Sequence, residues 1–442
     1  MFANDHDTIF ALASGAGRAA IAIVRISGPD CSAALKALLR NTDFPDRRAT
    51  LRTLRRPRSG EPLDRALITR FEAPRSFTGE EMAEISVTGG RAVVSAVLSA
   101  LALIPGLRPA EPGEFAWRAF MNGKIDLSEV EGLADLVEAE TEAQRRQAER
   151  IAGGALRREC EAIRLGLLDA MAAVETQIDF TDVEDASDFS LAKVRGAARG
   201  AIERIDRALA TADGAARLRE GFTVVIAGPP NVGKSTLMNT LAGRDVAIVS
   251  PIPGTTRDLI EVFLDLRGYP VVLVDTAGIR ESADAIEREG VSRARRRAKS
   301  ADLILWLNDA GGGAPPAMGS STLAVRTKID LIDGDAAATS PASLAISAKT
   351  GGGVDHLLDV IAELAEERMS SGEPALLTLE RHRRAFEDAR AALASILKPN
   401  ATEPELIAED LRRAAAAMDR IVGRIGVEEV LGEIFSRLCV GK

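Results

Sequence analysis

The chain is poor in the residues that build covalent and metal-held scaffolds. Cys31, Cys160 and Cys439 are few and scattered, which excludes a disulfide framework or a cysteine zinc site and points to a reducing compartment. His6, His356 and His382 are far apart in sequence and form no triad or metal pattern. No apolar run approaches the ~20 residues that span a bilayer, so no membrane partner is expected. The opening Met1-Phe-Ala-Asn-Asp-His-Asp has no basic region before its apolar residues. A secretory signal is therefore not expected, and a cytoplasmic location is. Positive charge is also short, with a net charge of −9. Contact with nucleic acid must then rest on local patches, Arg47 to Arg58 or Arg293 to Lys299, each of which also reads as a solvated face.

What is present is an ordinary globular composition, 46% hydrophobic and 27% charged over 442 residues, enough for two or three domains. Its most informative stretch is Gly228-Pro229-Pro230-Asn231-Val232-Gly233-Lys234-Ser235, which fits the phosphate loop G-x-x-x-x-G-K-[ST]. The run Phe222 to Ala227 before it suits a buried parallel strand, and Ser235-Thr-Leu-Met-Asn-Thr-Leu after it suits a helix start. In such a loop backbone N–H groups close around phosphate oxygens. Lys234 supplies charge to the β- and γ-phosphates, and the Ser235 hydroxyl binds Mg²⁺.

Four further motifs follow in the order a GTP-binding domain needs. Gly254-Thr255-Thr256-Arg257-Asp258 stands where a first switch loop belongs, with Thr256 as the second Mg²⁺ hydroxyl. Val271-Val-Leu-Val-Asp275-Thr276-Ala277-Gly278 is a strand ending in an acidic residue. Asp275 is expected to hold a Mg²⁺-bound water, and the Gly278 N–H to meet the γ-phosphate. Thr327-Lys328-Ile329-Asp330 occupies the place of the guanine reader Asn-Lys-x-Asp. A carboxylate at Asp330 accepts from guanine N1–H and the 2-amino group, a donor pair that adenine lacks. Threonine at 327 keeps a hydroxyl to brace the phosphate loop, so altered affinity is expected rather than lost specificity. Ser347-Ala348-Lys349 presents the Ala348 N–H to guanine O6. Expected nucleotide contacts are therefore Asn231, Val232, Gly233, Lys234, Ser235 and Thr236; Ser250, Pro251, Ile252, Pro253, Gly254, Thr255 and Thr256; Asp275, Thr276, Ala277 and Gly278; Thr327, Lys328 and Asp330; and Ser347, Ala348 and Lys349.

One residue type is missing from this set. Ras-type GTPases orient the attacking water with a glutamine after Asp-x-x-Gly; here that residue is Ile279. Glu287, in an acidic segment with Glu281, Asp284 and Glu289, is the candidate replacement, although spacing alone favours a solvated loop face. Positive charge between the β- and γ-phosphates has two candidate sources. One is an arginine finger, Arg257 or Arg280. The other is a monovalent cation held by the Asn231 amide oxygen with switch-loop carbonyls near Ser250 and Ile252. Asn231 also reads as a turn residue bonding its own backbone.

The GTPase block covers about residues 218–370, with helical flanks. Leu127, Val130, Leu133, Leu136 and Val137 keep a helical stripe that weakens toward Leu168. Thr402-Glu-Pro-Glu405 resembles a capping box, and a last helix is expected from Val427 to Leu438. This order implies a GTPase inserted into one helical domain split in sequence. The first ~115 residues read as a small α+β module. Its expected strands are Ile21 to Ile26, Ala66 to Phe71 and Met82 to Val87, and its expected helix is Ala92 to Leu103. The expected fold is thus multidomain α+β and α/β: residues 1–118 N-terminal, 119–217 and 371–442 helical, and 218–370 GTPase.

Several segments resemble the MnmE (TrmE) family of tRNA modification GTPases over nearly the whole chain. They are Thr8-Ile9, Gly17-Arg18, Val24-Arg25-Ile26-Ser27-Gly28, Ser76-Phe77-Thr78-Gly79-Glu80, Pro112-Gly113-Glu114-Phe115, Arg118, Asn122-Gly123-Lys124-Ile125-Asp126-Leu127 and the terminal Cys439-Val440-Gly441-Lys442. The resemblance implies an N-terminal folate-binding domain that forms a homodimer, and a heterotetramer with the flavoprotein MnmG (GidA). It implies addition of an aminomethyl-type group to C5 of the wobble uridine of certain tRNAs. A 5-formyl- or methylene-tetrahydrofolate supplies one carbon, and contact between GTPase domains triggers K⁺-stimulated GTP hydrolysis. It puts Glu287 at the family's catalytic glutamate and Asn231, Ser250, Ile252 and Thr255 at its K⁺ positions. Arg25, Glu84, Lys124 and Lys442 fall at its folate positions. Glu84 suits the guanine-like edge of a pterin, and a cation suits the glutamate tail. Lys124 and Asp126 also read as a helix-start turn. Cys439 reads equally as a nucleophile or an unactivated thiol. The chain departs from the family at Thr88-Gly89-Gly90, where His-Gly-Gly is usual, and at Pro251 and Pro253, which stiffen the cation loop. The competing reading is a ribosome-assembly or RNA-binding switch GTPase.

Overall fold

The computed structural model describes residues 7–40, 45–179, 191–248, 261–275, 301–309, 321–331, 344–370, 375–425, 435 and 441. Contacts divide the chain into two compact units. The first is Met1–Ala134 with Ala152–Arg164 and Ala415–Lys442, and the second is Asp135–Ile151 with Leu165–Ala414.

In the first unit, β1 (Thr8–Leu12), β2 (Ile21–Ser27), β3 (Thr50–Arg55), β4 (Pro62–Phe71), β5 (Met82–Thr88) and β6 (Leu107–Pro109) form one sheet, ordered β3-β4-β5-β2-β1-β6. Neighbours are antiparallel except β1 and β6. Alternation along β2 buries Ala22, Val24 and Ile26, as expected of a sheet with one covered face. They pack with Ile68 and Ile85 against Leu35, Leu38, Val97 and Leu101 from the helices Cys31–Leu38 and Arg91–Ala102. The opposite parity puts Arg25 on the other face, in register with Glu84 of β5. A smaller core joins Trp117, Leu127 and Val130 to Phe435, whose ring meets Trp117 edge-on at 5.3 Å.

The second unit holds β7 (Phe222–Ala227), β8 (Glu261–Leu266), β9 (Tyr269–Asp275), β10 (Leu303–Asn308), β11 (Ser321–Arg326) and β12 (Leu344–Ala345), ordered β12-β11-β10-β7-β9-β8. All pairs are parallel except the β8–β9 hairpin. The first five residues of β7 are buried, which is why this run carries no polar alternation. Strand order reverses beside β7, between β10 and β9, where a doubly wound sheet opens a crevice at its strand ends. Leu237, Leu241, Leu357 and Ile361 cover this sheet from the helices Lys234–Ala242 and Val354–Met369.

The helical stripe expected from Leu127 to Leu168 resolves into Leu127–Glu138, Glu142–Ala152 and Ala155–Asp179. The first break has a local cause. Gln144 Oε1 accepts the Thr141 N–H at 3.2 Å while Thr141 Oγ1 accepts the Gln144 N–H at 3.4 Å, a reciprocal cap that starts a new helix. Asp126 caps the helix before it. Its Oδ1 accepts the Glu129 N–H, and Glu129 Oε2 accepts the Asp126 N–H, both at 2.9 Å. Asp126 thus belongs to a helix-start turn. The helix Pro404–Val422 begins differently from the expected box. Ile407 N donates to Glu403 O, so Glu403 rather than Thr402 is the cap, and Pro404 takes the first helical position, where its missing N–H costs nothing. The expected last helix lies outside the described residues except at Phe435, which is helical. Among the described residues no helix is long and apolar enough to cross a membrane.

Candidate functional site

The phosphate loop leaves the end of β7 through Gly228 at φ 146° and turns left-handed again at Asn231 (60°) and Gly233 (103°) before the helix Lys234–Ala242. A Cβ on Gly228 would lie 2.3 Å from Leu307 O of β10, so only glycine fits against that strand. The helix N-terminus that follows, with successive backbone N–H groups in the loop, makes an anion cradle. Lys234 Nζ donates to Gly228 O at 2.9 Å and Pro229 O at 2.8 Å, so its charge is held over the loop. Ser235 Oγ lies 3.4 Å from Asp275 Oδ2 at the end of β9. A hydroxyl and a carboxylate brought together beside a phosphate cradle are the oxygen donors a hard divalent cation takes. The exposed Asn231 side chain makes no hydrogen bond among the described residues, so its amide oxygen is not spent on its own backbone.

The base-reading loops meet the phosphate loop through one side chain. Thr327 is buried, and its Oγ1 lies 2.8 Å from Val232 O and 3.1 Å from Asn308 O. Lys328 takes φ 58°, turning the chain so that Asp330 follows in the short 3₁₀ turn Ile329–Leu331. Ser347, itself buried, donates from Oγ to Asp330 Oδ1 at 2.6 Å. That hydrogen bond holds the exposed Asp330 carboxyl below its usual range and so keeps it an acceptor. Ala348 and Lys349 follow on the same loop. Thr327→Val keeps the shape but removes the donor to the buried Val232 carbonyl. GTP and GDP affinity are expected to fall roughly tenfold with base preference unchanged, as read by fluorescent-nucleotide titration.

The structure therefore assembles Asn231, Val232, Gly233, Lys234, Ser235, Asp275, Thr327, Asp330 and Ser347 from four separate segments. Ser250 to Thr256, Arg257, Thr276, Ala277, Gly278, Arg280, Glu287, Cys439 and Lys442 lie outside the described residues.

A second cluster lies in the first unit. Arg25 Nη2 donates to Glu84 Oε1 at 2.8 Å, and Nη1 donates to Gly441 O at 3.1 Å. Its guanidinium stands 5.4 Å from the Phe77 ring and 5.7 Å from the Phe115 ring, within cation–π range of both. Among the described residues Glu84 Oε2 has no hydrogen-bond partner, which leaves a carboxylate edge to accept donors from a ring. Gly441 packs where a Cβ would meet Leu12 O at 2.4 Å, at φ 104°, so the penultimate residue is docked on β1. Lys124 is placed otherwise, with Nζ on Pro74 O at 2.8 Å. Phe77 and Gly441 are contacts that residue chemistry alone did not assign. Their signal was their place inside the Ser-Phe-Thr-Gly-Glu and Cys-x-Gly-Lys segments.

The other family segments now have physical roles. Thr78 Oγ1 and Ser27 Oγ are 2.6 Å apart, Ser27 Oγ donates to Glu80, and Asn122 Nδ2 donates to Thr78 O. Thr88, in place of the family's usual histidine, uses its N–H and hydroxyl on Asp64.

Sheet order, phosphate cradle and carboxylate base reader together define a P-loop GTPase. Comparison with known proteins narrows this. Residues 8–124 match the family model for the GTP-binding protein TrmE N-terminus, and residues 127–439 match that for the MnmE helical domain. The chain is 52% identical over 439 residues to the tRNA modification GTPase MnmE of Methylobacterium sp. (strain 4-46), covering 99% of this chain and 100% of the relative. It is 50% identical to that of Beijerinckia indica, covering 99% and 96% respectively. The chain belongs to the MnmE family of tRNA modification GTPases.

Proposed function

We propose that the protein hydrolyses GTP to drive modification of tRNA, acting with the flavoprotein MnmG to add an aminomethyl-type group to C5 of the wobble uridine. The observation that carries the GTP half is the Thr327 hydrogen bond to Val232, which joins the base reader and the phosphate cradle in one cleft. Asp330 accepts from guanine N1–H and the amino group, and the Ala348 N–H donates to O6. Loop N–H groups and Lys234 hold the phosphates. Ser235 and Thr256, with Asp275 through a water, would hold Mg²⁺, which would supply charge neutralisation at the phosphates. Glu287 orients the attacking water. Asn231, with Ser250, Ile252 and Thr255, would hold K⁺, which would supply the positive charge an arginine finger gives elsewhere.

The modification half rests on the cluster of Arg25, Glu84 and Gly441. Arg25 and Glu84, set across two strands and closed by Gly441, suit a folate whose pterin offers donors to the Glu84 edge and whose tail needs cations. Arg25, Glu84 and Gly441 would hold a tetrahydrofolate there, whose chemistry would be that of a one-carbon donor. Lys442 and Lys124, the latter after leaving Pro74 O, are assigned to the tail. The homodimer through the N-terminal domain belongs to the same reading.

GTP turnover in KCl is expected to exceed that in NaCl at equal ionic strength by at least about tenfold. Equal, appreciable rates would pass the charge to Arg257 or Arg280 and favour a switch GTPase of the ribosome-assembly type.

A further inference from the structure

A side chain outside every motif described above ties the base loop to the phosphate-loop helix. Thr240, partly buried on the helix Lys234–Ala242, has its Oγ1 2.8 Å from Ala348 O and 2.9 Å from Thr236 O. A hydroxyl has one proton for these two acceptors. The Thr236 carbonyl lies four residues back and already takes the helical N–H of Thr240. Among the described residues the Ala348 carbonyl has Thr240 as its only donor. The hydroxyl proton therefore belongs to Ala348.

The rest of this loop is fixed at its ends. Ile346 N donates to Arg326 O, Ser347 N to Gly352 O, and Gly351 N to Ser347 O. Between those ties, the Ala348 carbonyl is gripped at one point, by Thr240. Ala348 thus sits between two held peptide planes: the Gly351 N–H holds the Ser347 carbonyl, in whose plane the Ala348 N–H lies, and Thr240 holds the Ala348 carbonyl in the next. Just past the end of the same helix, Arg244 pairs with Asp355 in the first turn of Val354–Met369. The phosphate-loop helix is thus tied to the base loop by Thr240 and to the helix that follows that loop by Arg244.

We propose that Thr240 is a positioning residue for guanine recognition, its hydroxyl holding the peptide plane after Ala348 against the helix so that the loop keeps the Ala348 N–H facing O6 of the base. This rests on the Ala348 reading given above. Thr240 acts through Ala348, so it couples the helix that grips the phosphates to the loop that reads the base.

The test is competition binding by the full-length protein, comparing GTP with 6-thio-GTP and with ITP. 6-Thio-GTP replaces O6 by a poor acceptor and keeps the N1–H and amino donors. ITP keeps O6 and lacks the amino group read by Asp330. In Thr240→Val the preference for GTP over 6-thio-GTP is expected to fall about fivefold, while the preference for GTP over ITP is unchanged. Thr240→Ser, which keeps the hydroxyl, is expected to retain both ratios. An unchanged 6-thio-GTP ratio in Thr240→Val overturns the proposal, as does an equal fall in both ratios, which marks general loosening. Wild-type protein with no preference for GTP over 6-thio-GTP overturns the Ala348 reading itself, a separate failure.

Discussion

Glu287→Ala is expected to leave GTP affinity within about twofold of the wild type and to lower turnover by at least about 100-fold. The cause is chemical. Hydrolysis needs an acceptor to orient water against the γ-phosphate, and the residue after the Asp275-to-Gly278 motif is Ile279, which offers none. Binding is assigned to other groups, the phosphate cradle, Thr327 and Asp330, which the substitution does not touch. Single-turnover hydrolysis in saturating GTP and K⁺, with a parallel nucleotide titration, separates the two effects. Glu287→Gln, which keeps a hydrogen-bonding oxygen but lacks the charge, should fall between. Full turnover in the alanine variant would move the task to Glu281, Asp284 or Glu289.

Arg118→Ala is expected to destabilise the N-terminal unit by about 3–5 kcal/mol, the cost of leaving buried charge without its partner. Arg118 is only 5% exposed at its side chain and lies 3.1 Å from Glu80 and 3.2 Å from Glu114. It also donates to Asp7 O at 2.7 Å. Glu114 is 1% exposed, so water cannot replace the lost cation. Arg108, bound to both Glu114 oxygens at 2.6 and 2.9 Å, softens the loss but does not reach Glu80 in the same way. Chemical denaturation followed by a probe in the N-terminal unit measures it, and a loss under about 1 kcal/mol would show the network to be dispensable. The same network gives a pH dependence of definite sign. Burial pushes Glu114 up, but the Arg108 guanidinium, the Glu111 N–H and the charge of Arg118 outweigh it and hold the carboxyl below its usual range. Its contribution is fully present above the unfolded carboxylate value, about 4.3, and is lost as pH falls through the lower folded value.

The residues assigned to phosphate and base were legible in the sequence because each needs a fixed chemical type at a fixed spacing. Lys234, Ser235, Asp275 and Asp330 stood out for that reason, and the strand Phe222–Ala227 was bounded to the residue. Less was legible in the helices. The stripe after Leu127 gave the helical type, but the Thr141–Gln144 cap and the Gly153-Gly154 break set where one helix stops and the next begins. β1, β3 and β6 were not read as strands. Each is short or carries weak alternation, and β6 exists only because it pairs with β1.

The cluster of Arg25, Glu84 and Gly441 shows the other limit. Arg25 and Glu84 are 59 residues apart, and Gly441 is a further 416 from Arg25. Nothing in their local sequence states that they touch. Taken by itself, the sequence determined the nucleotide, the order of the GTPase motifs and the family, because those depend on side-chain chemistry and spacing along the chain. Tertiary structure alone decided that Thr327 braces Val232, that Thr240 grips Ala348 and that Gly441 closes on Arg25. Those are hydrogen bonds between distant segments, set by strand order and helix packing, and a backbone carbonyl carries no mark in the sequence of which side chain will reach it.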